Sequence, residues 1–355
     1  MVKLTYTALL FSVALVSCNS GKNKKDVTGK DTVSVVQPTV PPPPPEVLPD
    51  DGQVGIRKGA VFIFKKRGFE LFSGGGGNGR QYASVINMYS RLKIPGVKIY
   101  NLIIPNGFEF EVTEKYKNQI TPAKTAINAV FAAEDPEIIK VNPTDEIRKH
   151  RTEYIYFNTD HHWTSLGAYY AYRSFCNAAG LTPVSLDSIP SKVKPGFLGL
   201  FHRLTRSAEL KSNPDSVRYY LFPDSVTFSI GSSNSINYWA KSKMYAEQVS
   251  GANSYSVFLQ GDLPICKMET LIKNGRKIAI VKESYGNAFA PFLINNYEKV
   301  IVVDSRYYSG DFIAMLKAEG INELLFLNNI FAAHTPFHIS NIKGLLNPGS
   351  PKAKP

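Results

Sequence analysis

Three short apolar runs, Ile278-Ala279-Ile280-Val281, Val300-Ile301-Val302-Val303 and Leu324-Leu325-Phe326-Leu327, alternate with helical stretches near Gly286–Asn296 and Ser309–Glu319. Runs this short and this uniformly apolar are buried on both faces. Spacers of that length fit crossover helices, so the pattern specifies βαβ units and a parallel sheet. Val97 to Ile104, ending at Pro105-Asn106, reads as another central strand. The expected fold is an α/β, three-layer α/β/α sandwich with a mostly parallel central sheet. In such sheets the loops after the strands share one crevice. Asn106, Ser284, Asp304 with Arg306, and Asn328 are therefore expected along a single edge.

The remaining segments fit around that sheet. Val61–Phe64 and Phe69–Phe72 flank a turn-like break from Lys65 to Gly68 and predict a hairpin at the edge of the fold. Arg80 to Leu92 is amphipathic. Gly74 to Gly77 are four consecutive glycines, but no Gly-Lys-Ser/Thr follows, which argues against a phosphate cradle. A polar, Ser- and Asn-rich stretch near 186–255 reads as an insertion with some strand content. With 355 residues, 43% of them hydrophobic, the chain can bury one large core, and no second full domain is apparent.

The N-terminus carries an address. Lys3 precedes an apolar run from Leu9 to Val16 that is too short to span a bilayer core of roughly 30 Å, and it reads as a signal peptide. Leu15-Val16-Ser17-Cys18 resembles a bacterial lipobox, in which Cys18 becomes the lipidated first residue; an ordinary signal peptide is the alternative. Residues 19–52 include Lys-rich sequence and the run Pro41 to Pro45, which favours an extended tether. The expected organisation is residues 1–18 as lipoprotein signal, 19–52 as tether, 53–345 as the folded domain and 346–355 as a flexible tail. The protein is then lipid-anchored in a bacterial cell envelope, facing the periplasm or exterior. Cys176 and Cys266 are expected to be free buried thiols; their pairing stays open. The net charge of +12 suits an anionic polysaccharide or lipid. No zinc-finger spacing, RNP-like strand or dense basic block supports a nucleic-acid partner.

Two segments concentrate polar chemistry. In Thr159-Asp160-His161-His162-Trp163-Thr164, Thr164 can cap a helix with the apolar face Leu166, Tyr169, Tyr172 and Cys176, ending near Gly180. An Asp two residues before a His can orient the imidazole and stabilise the imidazolium. In Lys282-Glu283-Ser284-Tyr285-Gly286-Asn287, Ser284 follows a strand and opens a helical stretch, which places a hydroxyl beside backbone N–H groups able to hold an oxyanion. Taken alone, each segment also reads as a helix cap. Asp160, His161 and His162 could instead ligate a metal, but no spaced Cys/His/Glu set completes such a site.

As a pair, with Asp304-Ser305-Arg306-Tyr307-Tyr308 and Leu325-Phe326-Leu327-Asn328-Asn329, these motifs resemble the DHHW family. That family is similar to the SGNH-hydrolase-like proteins that O-acetylate alginate and other bacterial exopolysaccharides. The resemblance covers most of residues 55–335 and implies a catalytic triad of Ser284, His162 and Asp160, with His161 on a variable position. The motif order Asp, His, then Ser matches those relatives. Two departures stand out: Gln260-Gly261-Asp262 replaces Gly-Gly-Asn, and Glu283 replaces Asp before the serine. The oxyanion candidates are the Ser284 and Gly261 N–H groups and the Asn287 or Asn328 side chain; the candidate substrate contacts are Arg306, Tyr307, Tyr285 and Trp163. The implied activity is an SGNH-type serine O-acyltransferase or esterase acting on a surface polysaccharide or other acylated carbohydrate. It needs no cofactor, and a membrane-bound O-acyltransferase would supply the acyl groups. A catalytically silent polysaccharide-binding or assembly protein on the same fold is the other reading.

Overall fold

The computed structural model describes residues 48–223 and 225–354. The signal peptide, Cys18 and most of the tether lie outside them. The described chain opens with a three-stranded antiparallel sheet, β1 (Ile56–Lys58), β2 (Val61–Phe64) and β3 (Arg67–Glu70). The β2–β3 turn has both Lys65 and Lys66 at positive φ, 51° and 60°. That conformation matches the right-handed twist of a two-residue hairpin, although it is one that asparagine or glycine adopts more readily.

The main sheet has eight strands in two groups. Its first strands are β4 (Lys98–Ile104) and β5 (Ile139–Val141). The stretch near 186–255 then supplies β6 (Ser191–Phe197) and β7 (Asp215–Tyr220), which pair only with each other, followed by β8 (Thr227–Gly231) and β9 (Trp239–Ser242). The last four are β10 (Ile265–Glu269), β11 (Lys277–Lys282), β12 (Lys299–Asp304) and β13 (Glu323–Asn329). The order is β5-β4-β13-β11-β12-β10-β8-β9. From β5 to β12 all pairs are parallel, and from β12 to β9 all are antiparallel. The polar stretch is thus continuous with the sheet at one edge, where its β8 and β9 extend the antiparallel wing.

Alternation along the parallel strands divides the core into two layers. Tyr100, Leu102, Ile278, Ile280, Val300, Val302, Leu325 and Leu327 face one layer, where they meet Trp163, Tyr172, Phe175 and Phe289. Ile99, Ile103, Ala279, Val281, Ile301, Val303, Leu324 and Phe326 face the other, against Tyr82, Ile86 and Tyr89 of helix Gly76–Arg91 and Met315 of helix Phe312–Ala318. A mixed, mostly parallel sheet flanked by helices is the architecture that this alternation builds. Cys176 and Cys266 are free and buried. Among the described residues, no helix is long and apolar enough to cross a membrane.

Candidate active site

Because β11 and β12 run parallel, Ser284 and Asp304 emerge at the same edge of the sheet. The segment carrying Asp160 and His162 reaches that edge from a separate part of the chain. It is pinned at one end by the helix Ser165–Ala179, whose N-cap Thr164 accepts the Gly167 N–H and whose C-terminus closes on Gly180 in the left-handed conformation. At the other end Asp215 of β7, itself buried, accepts hydrogen bonds from Asn158 N (2.6 Å), Thr159 N (2.8 Å) and Thr159 Oγ1 (2.5 Å). The strand pair β6–β7 therefore holds the loop that presents the histidines.

The three residues meet. His162 Nε2 lies 2.7 Å from Ser284 Oγ across 122 residues of sequence, and His162 Nδ1 lies 2.5 Å from Asp160 Oδ1. With Nδ1–H donating to Asp160, Nε2 is free to accept the Ser284 proton. Asp160 also accepts the His162 backbone N–H (3.1 Å) and the Leu200 N–H (2.7 Å). Burial alone would raise the Asp160 carboxyl. The His161 and His162 imidazoles, with these hydrogen bonds, instead hold it well below the usual carboxylate range, so it stays ionised at neutral pH. Gly199 leaves room for this contact, since a Cβ there would lie 2.2 Å from Asp160 Cβ.

Tyr255 supports both partners. Its ring stacks on His162 with centroids 3.9 Å apart, and its hydroxyl donates to the Ser284 carbonyl at 3.0 Å. Glu283, almost fully buried, accepts the N–H groups of Asn329 (2.9 Å) and Tyr285 (3.1 Å), which fixes the backbone on either side of Ser284. Burial raises its carboxyl. Ser284 itself is half-buried.

The other candidate residues take varied places. The Ser284 N–H has no acceptor among the described residues, whereas the Gly261 N–H is spent on the Phe258 carbonyl at 2.9 Å. Asn287 turns its amide to Asp262 Oδ1 (2.8 Å). Asn328 faces the opposite layer, donating to the Tyr82 hydroxyl at 3.0 Å. Of the four oxyanion candidates, only the Ser284 N–H is unoccupied and beside the Ser284 hydroxyl. Trp163 is fully buried, with its Nε1 donating to the Tyr285 carbonyl at 3.0 Å, and Tyr285 is buried with its hydroxyl on the His161 carbonyl. Both rings form the wall behind the site and leave no surface for a substrate. Tyr307 is exposed, and its ring carries the Arg306 guanidinium 5.1 Å from the centroid. Arg306 is also ion-paired to Asp304 (2.6 Å) and Asp262 (2.8 Å), in a cluster that includes the buried Lys282. Burial opposes ionisation of Asp262, but Lys282 and Arg306 bring its carboxyl down to about 2.

Asp160, His161 and His162 bring three potential ligand atoms within 4.8 Å of one another. A metal held through His162 would have to displace either the 2.5 Å contact to Asp160 or the 2.7 Å contact to Ser284. The donor set fits a proton relay better. Sequence reasoning overlooked Asp215, Gly199, Leu200 and Tyr255, which act through contacts that no local motif encodes. Only the Gly199-Leu200 pair carried a signal, as a glycine preceding a helical stretch.

Known proteins share this architecture. A DHHW family protein from Eubacterium siraeum superposes with a TM-score of 0.75 at 29% identity, covering 83% of this chain and 98% of that one. Bacillus cereus PatB1 superposes with a TM-score of 0.65 at 16% identity over 81% of this chain and 99% of its own. The O-acetyltransferase domain of Pseudomonas putida AlgJ overlaps more weakly, with a TM-score of 0.42 at 12% identity over 82% of this chain and 99% of that one. No curated protein matches the sequence. The DHHW protein model matches residues 49–303, a segment that contains the Asp160-His161-His162-Trp163 motif, the nucleophile candidate Ser284 and most of the sheet joining them, and the chain belongs to the DHHW family.

Proposed function

We propose that this protein is a serine O-acyltransferase or esterase working through an acyl-serine intermediate at Ser284. The observation that carries the reading is the continuous hydrogen-bonded line Asp160–His162–Ser284, with contacts of 2.5 and 2.7 Å between groups that core packing alone has no reason to align. In the proposed reaction His162 takes the Ser284 proton as Oγ attacks the acyl carbonyl, and Asp160 stabilises the imidazolium. The Ser284 N–H donates to the oxyanion. The imidazolium then protonates the leaving alcohol, and His162 deprotonates the acceptor hydroxyl that releases the acyl group. Water as acceptor gives hydrolysis, and a sugar hydroxyl gives transfer.

The acetyl group and a surface polysaccharide are the proposed substrates, supported by the resemblance to exopolysaccharide O-acetylation proteins. The proposed setting is the cell envelope, with lipid at Cys18 and the tether beyond it. The test is covalent labelling of Ser284 by a fluorophosphonate or sulfonyl fluoride, read as a mass adduct. Labelling in the native chain and its loss in His162→Ala is the expected result. Equal labelling of both, or of neither, removes the acyl-enzyme and favours a silent polysaccharide-binding role. Cys18→Ala should lower the membrane-bound fraction and shift the mature mass; unchanged fractionation and mass would remove the anchor.

A further inference from the structure

Beside Asp160 lies a small cavity walled by Phe69, Phe108 and Phe201 and lined also by Glu70, Asn106, Asp160 and His161. Its volume is about 10 Å³, close to what a single water requires. Two polar atoms of this lining, one on Asn106 and one on His161, are buried without a hydrogen bond. Asn106 donates its amide to the Glu70 carbonyl at 3.0 Å, which fixes its orientation and leaves Oδ1 buried without a partner. His161 Nδ1 is likewise buried with no hydrogen bond, its one charged neighbour being Asp160 Oδ1 at 3.5 Å. The Glu70 carboxylate makes no hydrogen bond or ion pair among the described residues. A buried polar atom without a hydrogen bond is costly, so a partner shared between these groups is favoured.

The inventory of donors and acceptors identifies that partner. Asn106 Oδ1 and the Glu70 carboxylate accept; a water has two hydrogens to give them and a lone pair to take the third bond. With Glu70 ionised, the set closes when His161 carries its proton on Nδ1. We infer that this cavity holds one water joining Glu70, Asn106 and His161, and that the water fixes the Nδ1–H tautomer of His161, leaving Nε2 to accept a hydrogen bond from the hydroxyl of the incoming acyl acceptor. The His161 side chain is 24% exposed while Nδ1 is buried, so the exposed part of the ring lies away from Nδ1. That ring stands 3.8 Å from the His162 ring, whose Nε2 contacts Ser284. His161 then receives the acceptor, and Glu70 is a positioning residue acting through the water.

The functional half of this inference rests on the acyl-transfer reading, and the water and tautomer do not. Nitrogen-15 NMR of the full chain at neutral pH should show His161 as the Nδ1–H tautomer, and a crystal structure should place a water within about 3.2 Å of all three atoms. An Nε2–H tautomer, or a cavity without that water, overturns the inference. With 4-nitrophenyl acetate as donor and methyl glucoside as acceptor, Glu70→Leu should keep the acylation burst within about threefold. Glu70→Leu and His161→Ala should both raise the KM for the glucoside at least about tenfold. A Glu70→Leu burst that falls in step with turnover, or an unchanged KM in either variant, would sink the acceptor role. Absence of any burst in the native chain would instead sink the acyl-enzyme, while the NMR and crystallographic results still decide the water.

Discussion

At the residue scale, the site depends on close approaches that single atoms can spoil. Gly199→Ala would drive a Cβ to within 2.2 Å of Asp160 Cβ and 2.3 Å of its Oδ2, where the Leu200 N–H now docks. Displacing the aspartate removes the group that orients His162, a loss worth roughly 10⁴-fold in rate in serine proteases. The expected outcome is a drop of about 100-fold or more in the rate of fluorophosphonate labelling, together with a lower melting temperature because the clash falls on a buried Cβ. A native labelling rate would show that Asp160 is not held from Gly199-Leu200. Tyr255→Phe keeps the ring stacked on His162 and deletes only the hydroxyl bond to the Ser284 carbonyl. It should cost about 1 kcal/mol of stability, measured by denaturant titration. Ser284, His162 and Asp160 were legible because two of them lie two positions apart in one short motif and the third follows an obvious strand. Tyr255 was not, because only folding brings its ring to the imidazole. Trp163 and Tyr285 stand next to His162 and Ser284 in sequence but point into the core, so adjacency misdirected their assignment as substrate contacts.

At the element scale, the parallel strands and the caps could be read directly. Thr164 and Gly180 bound the helix Ser165–Ala179 where capping chemistry places them. The antiparallel wing was less legible. β10 carries the polar Lys267 in its middle, and that side chain is accommodated over the Trp239 ring, 4.3 Å from its centroid, and against Glu319 at 3.2 Å. Such tertiary compensation leaves no apolar run to recognise. The hairpin was anticipated, but its second strand begins at Arg67 because the turn takes only Lys65 and Lys66. Two left-handed lysines are a correctable strain. Lys66→Gly keeps the Lys65–Asp51 ion pair and the backbone carbonyl that receives Asn213, and should stabilise the protein by about 0.5–1 kcal/mol. Calorimetric melting checks this; a lower melting temperature would mean that the Lys66 side chain contributes more than its backbone costs.

On the scale of the whole molecule, a buried polar chain crosses the second core layer: Asn328 donates to Tyr82 (3.0 Å), Tyr82 to Asn101 (3.0 Å), and Asn101 to Glu134. Burial pushes the Glu134 carboxyl up to about 7. A folded-state value above the unfolded one means the folded protein holds the extra proton. Its stabilising effect is complete below about pH 4.5 and is lost as pH rises through about 7. Glu134→Gln should therefore raise the melting temperature more at pH 8.5 than at pH 5. Part of the native pH dependence should persist, because burial also lifts Glu111 to about 7. An equal shift at both values would mean the carboxyl is not held protonated in the fold. This chain was hidden from sequence reasoning because nothing local links four polar residues far apart in sequence until the sheet and its helices bring them together. A different consequence follows from the position of β13. The last strand along the chain sits between β4 and β11, so it is the keystone that joins the half bearing β4 and β5 to the half bearing Ser284. During vectorial synthesis neither half has its central neighbour until Glu323–Asn329 has emerged, so Ser284 is kept apart from a fully formed sheet until that strand is made.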